Sequence, residues 1–341
     1  MNRRSFIQSS AVAGALPSLA FTNGDSAIKP ALLQKGDTIG FICPAAPAFD
    51  SEVVKFGKEA LEAMGFKVKM GDHIYDRYGY LAGKDEIRVA DIHKMFADSS
   101  VKAIMPIHGG WGCARLLPFL DYELIRKNPK IFIGYSDITA LLLGIYAKTG
   151  LTTFHGNVGS GTFNTFTINY FERCLMQAKP FEMVNPVDKD DNLVVSKDRT
   201  YTINPGVARG KLIGGNLTVL SHLIGSEFLP NFDGAILFLE DVNEEIYKVD
   251  RMLTHLKIAG LLKNIRGFVF GKCSDCNPSK GGFGSLTFED LWRDHIQPLG
   301  VPAFSGAMIG HISEKFTIPI GIQTEIDANK GTIKLLEAAV R

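Results

Sequence analysis

The sequence has few cysteines and no excess of charge of either sign. Its 341 residues include 5 cysteines and carry a formal net charge of +1. An odd and scattered set of cysteines excludes the disulfide framework that holds small secreted domains together. A near-neutral chain without blocks of like charge offers no electrostatic basis for binding nucleic acid or an anionic membrane surface. We therefore expect neither kind of partner.

The sequence also lacks internal repeats, long low-complexity tracts and any apolar run long enough to span a membrane. The weakly apolar stretch at 11–20 is too short for a spanning helix and is interrupted by Gly, Pro and Ser. Hydrophobic residues make up 45% of the chain and charged residues 21%, which is typical of a globular protein. This length predicts one large or two moderate domains with a sizeable core.

Residues 1–22 have the order of features of an export signal. Arg3 and Arg4 precede hydrophobic residues, as in a twin-arginine signal, and the weakly apolar stretch follows. Ser18-Leu19-Ala20 has the small-x-small pattern of a cleavage site. We expect this segment to direct the protein to the periplasm. The alternative is the disordered basic N-terminus of a cytoplasmic protein.

Two of the cysteines lie close together, at Cys273 and Cys276. A second pair and a neighbouring histidine cluster are both missing from the sequence around them, so a zinc site is not expected. The pattern predicts either a loop thiol pair or a local disulfide.

Strands and helices alternate over residues 31–160, which we assign to an N-terminal α/β domain. Such alternation is typical of a parallel sheet with helices on its faces. Ligands of these sheets bind beyond the carboxyl ends of the strands. The pattern predicts strands at 38–43, 66–70, 101–107 and 131–133, and helices at 51–64 and 85–97.

Residues 130–146 have the pattern of a buried strand, a tight turn and a helix, with Ser136 at the junction. A sharp turn of this kind exposes a nucleophile beside the free N–H groups of a helix N-terminus. Gly134-Tyr135-Ser136-Asp137-Ile138 matches a nucleophile elbow only in part, because Ile138 replaces its second glycine. Ser136 is therefore either a nucleophile or a simple helix cap, since serine is a favoured cap.

A glycine-rich loop follows the third predicted strand, as His108-Gly109-Gly110-Trp111-Gly112. Glycines let backbone N–H groups approach a ligand closely, so the loop is a candidate oxyanion donor or anion cradle. It lacks the Lys-Ser/Thr ending of a nucleotide-binding P-loop. The alternative is a tight turn without a ligand.

Residues 161–205 have little regular pattern, and we interpret them as a segment that crosses between two domains. Within them, residues 188–192 are rich in Asp and predict an exposed turn.

A second domain is expected over residues 206–341, ending in a β-rich region. Its apolar strand at 234–242 carries Glu240 near its end, where a carboxylate would be partly buried. A buried carboxylate needs a partner, and His311, which follows another predicted strand, is a natural one. Other predicted elements are helices at 216–224 and 244–259 and a strand at 266–271.

The order of these motifs resembles that of the LD-carboxypeptidase family of serine peptidases, over residues 38–325. The matching motifs are Gly-Gly-Trp-Gly at 109–112, Gly-Tyr-Ser-Asp at 134–137, Gly-Gly-Asn-Leu-Thr at 214–218, Leu-Glu-Asp at 239–241, Gly-Lys-Cys-Ser-Asp-Cys at 271–276 and Gly-His at 310–311. The resemblance implies a catalytic triad of Ser136, Glu240 and His311. It also implies a nucleophile-bearing N-terminal α/β domain, a smaller β-rich C-terminal domain and a site between them.

The resemblance implies further properties of the site. The oxyanion hole would use the backbone N–H groups of Asp137 and Gly110, and no metal or organic cofactor would be required. The substrate would be a murein tetrapeptide, from which the enzyme releases the terminal D-alanine, and the enzyme would be a homodimer. A carboxypeptidase needs a cation for the free carboxylate, and Arg115 is a candidate, although a structural role below the glycine loop is the alternative. Trp111 is a candidate wall of the substrate site.

Two other functions remain open. Some relatives resemble microcin-immunity peptidases, which cleave peptidyl-aminoacyl nucleotides; an export signal argues against this function, because such nucleotides are made in the cytoplasm. A non-catalytic protein that binds murein peptides is the third possibility, and the complete triad argues against it.

Overall fold

The computed structural model describes residues 27–187, 193–278 and 284–341. The expected signal at 1–22 and the expected turn at 188–192 lie outside the described residues. None of the helices in the described ranges combines the length and the apolar character that crossing a membrane requires.

The chain forms fourteen strands and eight α-helices within the described ranges. The strands are β1 Thr38–Ile42, β2 Lys67–Met70, β3 Val101–Pro106, β4 Ile131–Gly134, β5 Phe154–His155, β6 Glu182–Met183, β7 Tyr201–Asn204, β8 Val207–Asn216, β9 Ile236–Val242, β10 Gly267–Ser274, β11 Ala303–Ser305, β12 Ile318–Pro319, β13 Gln323–Asp327 and β14 Thr332–Leu335. The helices are α1 Ser51–Ala63, α2 Asp85–Ala97, α3 Tyr122–Lys127, α4 Thr139–Thr149, α5 Thr165–Leu175, α6 Leu217–His222, α7 Ile246–Ile258 and α8 Phe288–Leu291.

The first sheet has the strand order β12-β5-β4-β3-β1-β2. All of its pairs are parallel except β12 with β5, where Ile318 lies opposite His155. The parallel α/β fold expected for the N-terminal part is confirmed. The antiparallel edge strand comes from the far end of the chain, so the C-terminal region completes the first sheet.

The second sheet has the strand order β6-β14-β13-β8-β9-β10-β11-β7. Its central strands, β8 to β11, are parallel, and the flanking strands are antiparallel. In the parallel register Asn216 at the end of β8 lies opposite Glu240 in β9. The carboxyl edge of this sheet therefore collects polar side chains, as the edge of a parallel sheet does.

Helix α4 lies between the two sheets and is buried on every side. The sequence predicts one apolar face for this helix, whereas Ala140, Leu143 and Gly144 are buried as well. A helix that is apolar all round is one that packs against protein on all sides. Its first residue, Thr139, accepts a hydrogen bond at Oγ1 from the backbone N–H of Asn216 at 3.1 Å. This bond joins the two carboxyl edges.

Gly215 makes this close approach possible. A methyl group at this position would lie 2.6 Å from Thr139 Cγ2, and the backbone φ of +151° also favours glycine. The sequence analysis missed β8, because its glycines hide the strand pattern. It also missed α5, which lies within the segment interpreted as a crossing between domains.

Arg88 connects the loops on the first sheet's carboxyl edge. Its side chain is buried, and its guanidinium donates to the carbonyls of Pro44 and Gly112 and to the carboxylate of Asp85. These bonds join the loop after β1 to the glycine-rich loop after β3. A buried charge with several acceptors fixes the relative position of both loops.

We predict that Arg88→Met destabilises the protein by about 2–4 kcal/mol, because the substitution leaves the carbonyls of Pro44 and Gly112 without this donor and leaves Asp85 with Arg115 alone. Urea unfolding followed by circular dichroism measures the change. Arg115→Met is the matched control, since Arg115 bonds the same Asp85 from a half-exposed position and should cost about 0–1 kcal/mol. Equal losses in the two variants would contradict the interpretation.

Candidate active site

Ser136 occupies a strained turn between β4 and α4. Its φ is +65°, in the left-handed region that residues other than glycine seldom adopt. The N-cap positions of the 3-10 turn Ser136–Ile138 and of α4 are Tyr135 and Ile138, and neither has a side-chain cap bond. Ser136 is therefore not a helix cap. Strain of this kind is typical of a nucleophile elbow.

The glycine-rich loop lies directly against Ser136. A methyl group at Gly109 would be 2.8 Å from Ser136 Cβ, 3.0 Å from Ser136 Oγ and 3.4 Å from the backbone nitrogen of Asp137. Only glycine permits this approach. In the described part of the chain, the backbone N–H groups of Asp137 and Gly110 donate to no acceptor. An oxyanion hole requires donors that are free in this way. Their assignment as the oxyanion hole stays a prediction.

The side chain of Asp137 has a structural role. Its Oδ2 accepts a hydrogen bond from the backbone N–H of Cys113 at 2.8 Å. The bond ties the elbow to the end of the glycine-rich loop. Burial raises the pKa of this carboxyl above its ordinary value, and the backbone donor partly offsets that effect.

Glu240 and His311 meet, as the sequence analysis expects. Nδ1 of His311 lies 2.9 Å from Oε2 of Glu240, whose side chain is completely buried. The amide of Asn216 donates to the other carboxylate oxygen at 3.2 Å. Burial is the largest single effect and disfavours the charged carboxylate, but the hydrogen bond and charge of His311, with contributions from His155 and Asn216, together outweigh it and lower the pKa of Glu240. The pair is thus a buried carboxylate that orients an imidazole.

The loop that carries His311 is fixed by β10. The backbone N–H of Lys272 donates to the carbonyl of Ile309 at 2.8 Å, and Ser274 Oγ donates to the carbonyl of His311 at 2.9 Å. Because β10 pairs with β9 in parallel, these bonds hold His311 above the end of the strand that bears Glu240.

Tyr135 links the elbow to the histidine. Its ring centroid lies 4.9 Å from that of His311 in an edge-to-face contact, and 6.2 Å from that of His155. Ser136, the next residue, makes no hydrogen bond to His311 among the described contacts. Such bonds are often long in the absence of substrate. Adjacency through Tyr135 places the three predicted triad residues in one site, and their catalytic roles stay predictions.

His155 was not singled out in the sequence. It is buried below Tyr135, and its Nδ1 has no partner among the described residues. Burial lowers the pKa of His155 to about 4, so this ring is neutral at pH 7. His155 lies at the site because β5 is placed beside β4 in the sheet. No local sequence pattern predicts that neighbour.

Asp241 caps a helix and does not face His311. Its Oδ2 accepts from the N–H and the Oγ1 of Thr218, each at 2.9 Å, at the start of α6. Burial raises the pKa of Asp241 to about 6, and the neighbouring charge of Glu240 adds to the effect.

The two candidate substrate residues lie outside this cluster. Arg115 donates from Nη2 to Asp85 at 2.9 Å and is half exposed, which favours the structural alternative for it. Trp111 is 63% exposed, and its ring packs edge-to-face on that of Tyr80 at 6.1 Å. Trp111 thus stands on the open surface of the glycine-rich loop.

A strained serine, a buried Glu-His pair and free backbone N–H groups together define a serine hydrolase site. Comparison with known proteins identifies the family within this class of hydrolases. Residues 39–156 match the model of the LD-carboxypeptidase N-terminal domain, and residues 209–326 match that of the C-terminal domain. The chain belongs to the LD-carboxypeptidase family, and with this site it is a serine carboxypeptidase.

Individual relatives agree with this family. The probable murein peptide carboxypeptidase of Bacillus subtilis (strain 168) is 38% identical over 317 residues, which cover 92% of this chain and 95% of that protein. The muramoyltetrapeptide carboxypeptidase structure from Oxalobacter formigenes has a TM-score of 0.74 at 27% identity, covering 87% of this chain and 97% of that one. The apo structure of the microcin C7 self-immunity protein MccF has a TM-score of 0.84 at 29% identity, covering 92% and 100%.

We predict that Glu240→Gln lowers kcat by about 10⁴-fold, because an amide stabilises the wrong tautomer of His311 and cannot support its cation. Steady-state peptidase assays measure the loss. Asp241→Asn is the neighbouring control. It keeps the Glu240–His311 contact and changes a carboxylate that shares only the Asn216 amide donor with Glu240, so kcat should fall less than about 10-fold. A similar loss in both variants would remove Glu240 from the triad.

Proposed function

We propose that this protein is an LD-carboxypeptidase that releases the terminal D-alanine from murein tetrapeptides. The observation that carries the proposal is the buried Glu240–His311 pair, 2.9 Å apart, beside the strained Ser136. The murein peptide carboxypeptidases among its relatives support the choice of substrate.

The geometry supports a two-step mechanism. His311 takes the proton of Ser136, whose Oγ attacks the scissile carbonyl carbon. The N–H groups of Asp137 and Gly110 stabilise the oxyanion, a contribution of about 3–4 kcal/mol per donor in other enzymes. His311 then gives its proton to the leaving nitrogen, so that D-alanine departs and an acyl-serine ester remains.

The second step regenerates the enzyme. A water molecule gives a proton to His311 and attacks the ester, and His311 returns the proton to Ser136. Throughout both steps Glu240 holds the imidazole by Nδ1 and stabilises its positive form.

We predict that the purified protein releases D-alanine from a murein tetrapeptide and that Ser136→Ala reduces the rate by about 10³–10⁶-fold, since the acyl-enzyme can no longer form. Product analysis by chromatography and mass spectrometry measures both. If the folded wild-type protein releases nothing, the substrate assignment fails. Cleavage of a peptidyl-aminoacyl nucleotide in the same assay would favour the immunity function, and binding without cleavage of either would favour the binding protein.

We further propose that residues 1–22 export the protein to the periplasm and that it acts there as a homodimer, as the family resemblance implies. Cys273 and Cys276 form a disulfide, while Cys43, Cys113 and Cys174 are buried and free. Disulfides persist in oxidising compartments such as the periplasm, so this bond supports export.

We predict that a variant with Arg3→Lys and Arg4→Lys stays in the cytoplasm, because the twin-arginine receptor reads the arginine pair. Cell fractionation with immunodetection measures the distribution. Native thiol alkylation provides a second measurement: exported protein should gain two labels, at Cys273 and Cys276, only after reduction. Unchanged export of the variant, or labelling of both cysteines without reductant, would contradict the proposal.

A further inference from the structure

Lys315 is a buried cation next to the predicted catalytic histidine. Only 4% of its surface is exposed, and its Nζ lies 4.2 Å from the ring centroid of Tyr135. The same ring contacts His311 at 4.9 Å. The ammonium group and the imidazole therefore flank one aromatic side chain.

This ammonium group lacks an anionic partner. In the described ranges, Nζ donates no hydrogen bond and forms no ion pair, although an ammonium has three donors. The nearby Lys272 behaves differently, since it lies 3.6 Å from Asp198, and Arg115 is paired with Asp85. A buried charge without a partner is unfavourable. The face of the Tyr135 ring is its one described contact of opposite polarity, and an anionic group of a ligand would supply the missing partner.

The ammonium remains charged at neutral pH. Burial lowers the pKa of Lys315 to about 8, and the negative charge of Glu240 opposes the shift. The other titratable groups that face it are Tyr135, His155 and His311. Tyr135 is neutral at pH 7 because burial raises its pKa to about 12.

The segment that carries Lys315 is held in place. Its backbone N–H donates to Oγ1 of Thr167 at 3.2 Å, and that hydroxyl donates to the carbonyl of Ser313 at 3.1 Å. Thr167 lies in α5, so the segment is docked on a helix. A cation whose backbone is fixed in this way is preorganised for an anion.

A carboxypeptidase needs an anion receptor at this place. The leaving nitrogen must lie within hydrogen-bond reach of the histidine that protonates it. The free carboxylate of the terminal residue is two bonds beyond that nitrogen. The receptor must therefore be a cation close to the histidine, on the side of the leaving group.

We propose that the ammonium group of Lys315 binds the terminal carboxylate of the substrate and so selects for cleavage at the last residue of the peptide. This inference rests on the proposed function and deepens it. It replaces Arg115, which the sequence offered as a candidate beside a structural alternative. Lys315 thus acts as a specificity-determining residue.

The test compares two ligands in a protein that binds but does not cleave. Calorimetry with the Ser136→Ala variant measures its affinity for a murein tetrapeptide and for the same peptide with a C-terminal carboxamide. We expect the free acid to bind about 10- to 100-fold more tightly, as a charge-assisted contact implies. Adding Lys315→Met should abolish this preference by weakening only the binding of the free-acid peptide. Lys315→Arg should retain most of the preference.

Other results would overturn the proposal. Equal weakening of both ligands in the Lys315→Met protein would indicate a purely structural role. An unchanged preference would exclude the contact, and its loss in an Arg115→Met control would move the receptor to Arg115. If Lys315→Met does not fold, Lys315→Gln takes its place in the same comparison, and an unchanged preference in that protein decides against the proposal. Failure of the Ser136→Ala protein to bind either peptide would refute the murein substrate, and the inference with it.

Discussion

The buried carboxylate of Glu240 constrains much of the structure around it. A charged group without access to water is stable only when donors surround it, and here the donors come from separate parts of the chain. Asn216 reaches it from β8, and His311 reaches it from the loop beyond β11. The same contacts that keep the carboxylate ionised also fix the orientation of the imidazole, so stability and the predicted catalytic role depend on one set of contacts.

The second constraint is the joining of two sheet edges. The backbone of Asn216 bonds Thr139 at the start of α4, while its side chain bonds Glu240. Asn216 thus connects the helix that follows Ser136 to Glu240. Because α4 is buried on all sides, a shift of either sheet would disturb its packing, and close packing resists such shifts. The packing of α4 therefore holds Ser136 and the Glu-His pair in a fixed relation.

Local patterns predicted the elements well where the sequence pattern is strong. The apolar strand before Ser136, the strand that ends near Glu240, and helices α1 and α2 all appear within a few residues of their expected bounds. Prediction failed where tertiary pairing decides the structure. Strand β12 joins the first sheet although it follows His311 in sequence, and glycine-rich β8 is a strand because it lies between β13 and β9. No local signal encodes such neighbours.

The residues of the candidate site divide in the same way, into those with a local sequence motif and those that only tertiary pairing brings together. Ser136, Glu240 and His311 belong to compact motifs, so their resemblance to a family identified them together. Lys315 and His155 belong to no such motif: the pairing of β5 with β4 brings His155 to Tyr135, and Lys315 lies just before β12, which pairs with β5. Arg115 is the opposite case. It lies near the glycine-rich loop in the sequence, but in the structure its guanidinium is paired with Asp85. Whether a charge already has an acceptor depends on the three-dimensional arrangement of the groups around it, which local sequence does not encode.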